Sequence, residues 1–284
     1  MMNKVIKVMV FYLFRLNRTD VRCQVSQSSP QYFMRFLLYN IRYGTGSSRY
    51  FHLPVPFGGY LKPTVANIER IASFIKSLDP DVVGLVEVDS GSFRSDRQNQ
   101  AELIARQLGH FHVYQSKYRP NALIQRIPIL NKQGNAFLTR ETIHAQTFHY
   151  FQDGVKRLVI ELELEECVIF LVHLSLFFRH RHHQLRDLYG LVKAATKPVI
   201  VAGDFNLLWG DRELQLFLAA TGLRSANTSG APSHPSHAPH RQLDYILYGP
   251  GVRVTHFEIP AVRLSDHMPL VCDLEIDKNT RPFT

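Results

Sequence analysis

One α/β domain on a mixed sheet system is what the sequence predicts, and three observations carry that expectation. Apolar runs with strand and helix periods alternate through the first half of the chain. Strands dominate the second half. No linker or internal repeat interrupts them. With 284 residues, 45% of them hydrophobic and 20% charged, the chain is globular in composition and long enough to bury a large core.

The elements follow in order. Residues 35–41 read as a buried strand ending in a glycine-containing turn at 43–48, and a Pro/Gly-rich loop covers 49–63. Thr64 is placed to cap a helix to Leu78, with Val65, Ile68, Ile71, Ile75 and Leu78 on one face. Asp79-Pro80 stops it. Residues 82–86 are a short apolar run between polar residues, hence a buried strand. Residues 98–108 read as a helix stopped by Gly109. Strands are expected over 135–139, 156–164 and 167–174. In the second, Leu158, Ile160, Leu162 and Leu164 alternate with Val159, Glu161 and Glu163. A helix over 181–195, a buried strand over 198–202 and a helix over 211–220 come next. Strands over 243–248, 252–257 and 269–276 close the chain.

Residues 1–33 differ from the rest. Lys4 and Lys7 precede a short apolar run, 8–14, and Arg15, Arg18 and Arg22 follow. The segment admits a weak signal-peptide reading without a small-x-small cleavage site, or a surface helix in contact with a membrane. The expectation preferred here is a basic arm, disordered or preceding a true start at Met34, with residues 34–284 as the catalytic domain. The net charge of +9 suits phosphate-bearing partners. The arm, with five basic residues and one acidic, accounts for +4 of it and leaves +5.

Composition also excludes. Cys23, Cys167 and Cys272 are odd in number and far apart, with no C-x-x-C, which argues against a disulfide framework or a cysteine zinc site. No apolar run approaches the ~20 residues of a membrane span. The expectation is a soluble, cytoplasmic monomer.

The informative feature is positional. Buried strands run straight into polar groups: FLLYN ends in Asn40, VVGLVE in Glu87, IFLVH in His173, and VIVAGDFN in Asp204 and Asn206. LDYIL carries Asp244 near its start, and SDHMPL places Asp266 and His267 before the last strand. Alone, each is a common turn former or cap. Together they populate the rim where α/β proteins bind ligands. Asn, Glu and Asp are hard oxygen ligands suited to Mg²⁺ or Mn²⁺. Histidines beside carboxylates supply acid–base and phosphate-facing groups, the equipment of phosphoester hydrolysis.

On these residues the chain resembles a known family. YNIRYG, LVEV, VHLSL, GDFN, LDYIL and SDHMPL, with GNAFLTR as a central strand, follow the motif order of the endonuclease/exonuclease/phosphatase superfamily of DNase I-like phosphoesterases. The likeness spans residues 34–276 and implies a four-layer α/β/β/α sandwich with two mixed β-sheets and helices outside. It implies metal ligation by Asn40 and Glu87, with Asp266 as an outer or second contact. His267 is then expected to face the scissile phosphate, with Asp244 fixing its tautomer. His173 donates to a nonbridging oxygen, Asp204 orients or deprotonates the attacking water, and Asn206 positions that water or the phosphate. The implied activity is Mg²⁺-dependent hydrolysis of phosphodiester bonds, nuclease-like first, with a lipid headgroup or a small phosphoester as the alternative. A catalytically dead binding protein fits poorly, because no expected position is missing.

Three further features have plainer readings. His180, His182 and His183 suit a solvated helix start. His234, His237 and His240 lie in a Pro-rich loop before LDYIL, near the expected site, where a plain loop, a substrate contact or a His-rich metal tract are all open. Trp209, the sole tryptophan, either lines the cleft or anchors the next helix. For the substrate, Arg49, Tyr50, Phe51, His52, Tyr60 and Lys62 suit backbone contact and base stacking, while the apolar loop over 51–60 equally suits a membrane surface.

Overall fold

The computed structural model describes residues 31–47, 63–117, 130–154, 156–277 and 280. Two six-stranded mixed sheets form the centre of the molecule. The first contains β1 (Gln31–Asn40), β2 (Val82–Asp89), β3 (Phe111–Ser116), β4 (Gln133–Thr139), β11 (Val252–Glu258) and β12 (Leu270–Asp277), in the order β11-β12-β1-β2-β4-β3. The second contains β5 (Ala145–Tyr150), β6 (Leu158–Glu163), β7 (Val168–His173), β8 (Val199–Asp204), β9 (Arg224–Ser225) and β10 (Asp244–Tyr248), in the order β5-β6-β7-β8-β10-β9. One parallel pair lies in each sheet, β1 with β2 and β7 with β8, and the remaining pairings are antiparallel.

Strand periodicity sets the layers. In β1, Met34, Phe36 and Leu38 pack into the core between the sheets, while Leu37 and Tyr39 join the core under two helices, α1 (Val65–Leu78) and α2 (Gln100–Leu108). In β7, Ile169 and Leu171 face the first sheet, whereas Val168, Phe170 and Val172 face α3 (Phe178–Ala194) and α4 (Arg212–Thr221). Strands buried on both faces are therefore near-continuous apolar runs, and the four-layer α/β/β/α sandwich implied by the resemblance is the fold found.

Local differences have local causes. β1 starts at Gln31, so residues 31–33 of the expected arm pair with β12, and residues 1–30 lie outside the description. Thr64 occupies the N-cap of α1 without a side-chain cap; its hydroxyl instead donates to the Arg94 carbonyl at 3.2 Å. α3 begins three residues before the expected start, with Phe177 at its N-cap and no capping side chain to announce it. Trp209 is exposed rather than packed beneath α4, which removes the helix-anchor reading. The early-loop residues 49–52, 60 and 62 lie outside the described residues. Among the described residues no helix is long and apolar enough to cross a membrane.

Candidate active site

The two parallel pairs bring the strand-end residues together. Asn40 pairs with Val86, one residue before Glu87, and His173 pairs with Asp204. Asp244 faces Asp204 from the opposite side. Asn40, His173, Asp204 and Asp244 continue the alternation of Leu38, Leu171, Ala202 and Ile246, all in the core between the sheets. Their side chains therefore point into the space between the sheets, at the edge where that core ends.

Glu87 reaches the same space by a different device. Strict alternation places it with Val83 and Leu85, beneath the helices. The β2–β4 register slips between Leu85 and Val88, so that Val86 and Glu87 together oppose Asn135, and Glu87 takes φ +58°. This is a β-bulge, which re-aims the side chain that a one-residue step would otherwise bury on the wrong face. The Asn135 side-chain oxygen accepts the Glu87 N–H at 3.3 Å, so this amide supports the bulge.

Asp204 is the hub. One of its oxygens accepts the Asn206 N–H at 3.0 Å; the other accepts from Asn40 Nδ2 at 3.2 Å and lies 3.3 Å from His173 Nε2 and 3.9 Å from His267 Nε2. The strand carrying it needs Gly203, because a Cβ there would collide with the Val172 carbonyl of the neighbouring strand. Asn206 donates its side-chain amide to the Leu174 carbonyl at 2.8 Å, so it also clamps the end of β7.

His267 Nδ1 is 2.8 Å from Asp244 Oδ2, which also accepts from Ser233 Oγ at 2.6 Å. The His234 ring packs on the His267 ring with centroids 4.6 Å apart, so the Pro-rich loop does border the site. His240 in that loop is exposed, and His182 and His183 lie on the exposed start of α3, where His183 pairs with Asp153. Asp266 lies 3.4 Å from Arg42 Nε and accepts from Ser265 Oγ. Among the described residues, His234, Asp266 and His267 bring ligand atoms within 4.8 Å of one another, as do Asp204, Asp244 and His267. Glu87 meets a different set: its Oε1 is 3.8 Å from both His173 Nε2 and Lys156 Nζ.

The protonation pattern follows from burial and these neighbours. Burial opposes charge on Asp204, but His173, His267 and Lys156 outweigh it and hold the carboxyl well below its ordinary value. Glu87 is likewise held low by Lys156, His173 and Lys117 against the cost of burial. Burial and then Lys156 push His173 down, against its bond to Asp204. His267 goes the other way: burial disfavours its cation, yet Asp244 and then Asp204 raise it to about 10. Burial is the main cause that raises Asp244.

Lys156, Lys117, Ser233 and Arg42 are site residues that the sequence did not single out. Lys156 Nζ lies against His173 Nε2, and Lys117 Nζ is 2.9 Å from the Tyr43 hydroxyl, with burial pulling its pKa down to about 7. Arg42 lay inside the YNIRYG motif and was readable there; an isolated lysine before a strand carries no comparable signal.

A divalent cation fits the donors present. The Glu87 carboxylate is held ionised, takes no hydrogen bond on either oxygen among the described residues, and draws two lysines towards it. Asn40, on the neighbouring strand, offers a hard amide oxygen that accepts the Arg42 N–H at 3.1 Å.

Stacked mixed sheets with acids, amides and histidines gathered where strands of both sheets end define a class: α/β/β/α sandwich proteins with a polar site at one edge. Residues 37–267 match the Endonuclease/Exonuclease/phosphatase family, and the chain belongs to that family of phosphoester hydrolases. A UPF0294 protein of Yersinia pseudotuberculosis is 30% identical over 156 residues, 54% of this chain and 53% of the relative. The chain thus spans about half the length of the curated relatives it matches. An endonuclease/exonuclease/phosphatase of Beutenbergia cavernae shares the fold with a TM-score of 0.65 at 19% identity, over 86% of this chain and 72% of that one. So do a mannosyl-6-phosphatase of Bacteroides thetaiotaomicron (0.61, 14%, over 85% and 99%) and the human Nocturnin catalytic domain with bound sulfate (0.58, 20%, over 86% and 97%).

Proposed function

We propose that the chain hydrolyses phosphodiester bonds by in-line attack of water on phosphorus. The observation that carries this reading is the convergence of His173 and Asp204 with His267, itself oriented by Asp244, beside the Glu87–Asn40 corner. Asn40 and Glu87 are assigned to hold Mg²⁺ or Mn²⁺, with Asp266 as an outer contact through the His234–His267 side. The bound ion would supply positive charge to the phosphoryl oxygens as negative charge builds on them.

The protein's own groups do the rest. His267, kept cationic by Asp244, faces the scissile phosphate and neutralises its charge. Asp204, kept ionised, accepts from the attacking water and aims its oxygen at phosphorus. Asn206 holds the Asp204 turn and the β7 end at fixed separation. His173 and Lys156 present donors to a nonbridging oxygen. As the new O–P bond forms, the bond to the leaving oxygen breaks; the attacking water's proton passes to Asp204 and the His267 imidazolium gives one to the leaving oxygen.

Nuclease-like action on a nucleic-acid backbone is supported by the basic charge alone, since the aromatic and basic early loop lies outside the described residues. A lipid-borne phosphodiester has a specific observation in its favour: large apolar side chains stand exposed just beyond His173 and Asn206. That reading is therefore the favoured one.

The test is a panel of plasmid DNA, abasic duplex, single-stranded RNA, sphingomyelin, phosphatidylglycerol and a chromogenic phosphodiester. Each is incubated with Mg²⁺ and wild type or Glu87→Ala. Cleavage by wild type alone supports the reading. No cleavage, or equal cleavage by the variant, overturns it.

A further inference from the structure

Four large apolar side chains face water in the two segments that leave the site. Leu176, Phe177 and Phe178 are 47%, 68% and 59% exposed, and Trp209 is 86% exposed. Leu176 comes three residues after His173, and Trp209 three after Asn206. The segments leave neighbouring parallel strands, at His173 and Asp204, which pair directly.

A buried arginine ties them together. Arg181 donates to the carbonyls of Ser175 and Leu176 at 3.0 and 2.8 Å, and to Glu213 Oε1 at 2.8 Å, four residues from Trp209. The backbone at 175–176 and the start of α4 are thus tied to one buried support. Exposed apolar residues scattered singly are ordinary, whereas a run of three, with a tryptophan in the segment leaving the neighbouring strand of the same site, marks an interaction surface.

We propose that this rim docks the enzyme on a membrane bearing anionic lipid, with the site turned towards the headgroups. The composition is that of an interfacial anchor: aromatic rings and a leucine for the acyl boundary, with the exposed Arg179 and Arg212 beside them. Asp211 is the sole carboxylate in stretches 174–179 and 207–212, and residues 34–284 carry +5, so a negative surface matches it. Leu176 has no ring to stack on a base, and three consecutive apolar side chains give contiguous apolar area rather than the spaced platforms of a nucleic-acid groove. The surface rests on the phosphodiester reading only for what it delivers to the site; the docking itself is separable.

Trp209, the single tryptophan, is a built-in reporter. The full chain is titrated with vesicles of phosphatidylcholine and phosphatidylglycerol in EDTA, and its emission and acrylamide quenching are followed. The expected result is a blue shift with protection from quenching. In Phe177→Ser/Phe178→Ser the apparent vesicle affinity falls about tenfold or more, while turnover of a soluble chromogenic diester is unchanged. Glu87→Ala keeps the emission shift whatever its activity, which separates failure of docking from failure of the catalytic reading. Emission that stays unmoved at vesicle concentrations that sediment the chain overturns the proposal. A shift produced by a single-stranded oligonucleotide and not by vesicles overturns it in favour of base stacking.

Discussion

Asp244→Asn is the most informative change at the site. In the native protein one carboxylate oxygen of Asp244 meets His267 Nδ1 at 2.8 Å and Ser233 Oγ at 2.6 Å. The imidazole is buried, which by itself disfavours its cation, yet its pKa stands at about 10 against an ordinary 6.5. At ~1.4 kcal/mol per pH unit, that gap is worth about 5 kcal/mol in favour of the imidazolium. Asp244 leads the groups that supply it, ahead of Asp204 and Asp266. The amide keeps the shape and removes the charge, while the burial cost stays. The pKa of His267 then falls by ~2 units or more, an opposite-charge effect of the usual size. At about pH 9 wild type keeps most of the cation and the variant has lost most of it. If the cation faces the phosphate, kcat/KM at that pH drops by ~10-fold or more, and the loss shrinks as the pH is lowered and His267 reprotonates. The assay is a pH–rate profile on a chromogenic diester, paired with an NMR titration of the His267 ring. An unchanged titration, or kcat/KM at pH 9 within about threefold of wild type, refutes the reasoning.

Other expectations concern the scaffold. Arg181→Ala leaves Glu213 buried without its main partner and costs about 3–5 kcal/mol of stability, read from urea melts; a loss below about 1 kcal/mol contradicts the buried-pair account. Burial pushes the Cys167 and Cys272 thiols up to about 12, so in a Cys23→Ser chain neither reacts with a thiol reagent until the protein unfolds. Arg35 grips Asp273 at 2.7 and 2.9 Å and holds its carboxyl below the ordinary range. The stabilisation is therefore present above about pH 4 and lost as the pH falls through the lower folded value. Asp273→Asn lowers stability near neutrality by ~1 kcal/mol or less, since Arg35 is partly exposed, and the difference from wild type closes in acid.

Most of the fold was legible because its central strands are buried on both faces and bounded by turn residues. β1, β2, β7 and β8 show this, and their polar ends gave away the site. What was missed has physical reasons. β3 and β5 are mostly exposed or half-buried, and a strand such as AQTFHY carries little apolar signal. β9 is two residues long. The aim of Glu87 was not readable from periodicity, because the bulge defeats the alternation on which such readings depend. Lys156 and Lys117 reach the site through tertiary packing, and no local pattern marks them. The exposed rim was invisible for the same reason: no local pattern marks Leu176, Phe177 and Phe178 as exposed, and only the fold leaves them uncovered by anything among the described residues.

The central claim is that Asp204 aims water at a phosphorus held between the sheet ends. It is tested most directly by turnover of a soluble chromogenic phosphodiester with Mg²⁺ in wild type and Asp204→Asn, with Mg²⁺ affinity measured by calorimetry on the same samples. The account predicts turnover by wild type, a fall of ~10²–10⁴ in the variant, and a loss of metal affinity no greater than the ~10-fold expected for a group bonded to a ligand such as Asn40. Equal turnover by the two proteins, or a parallel collapse of metal binding, contradicts it.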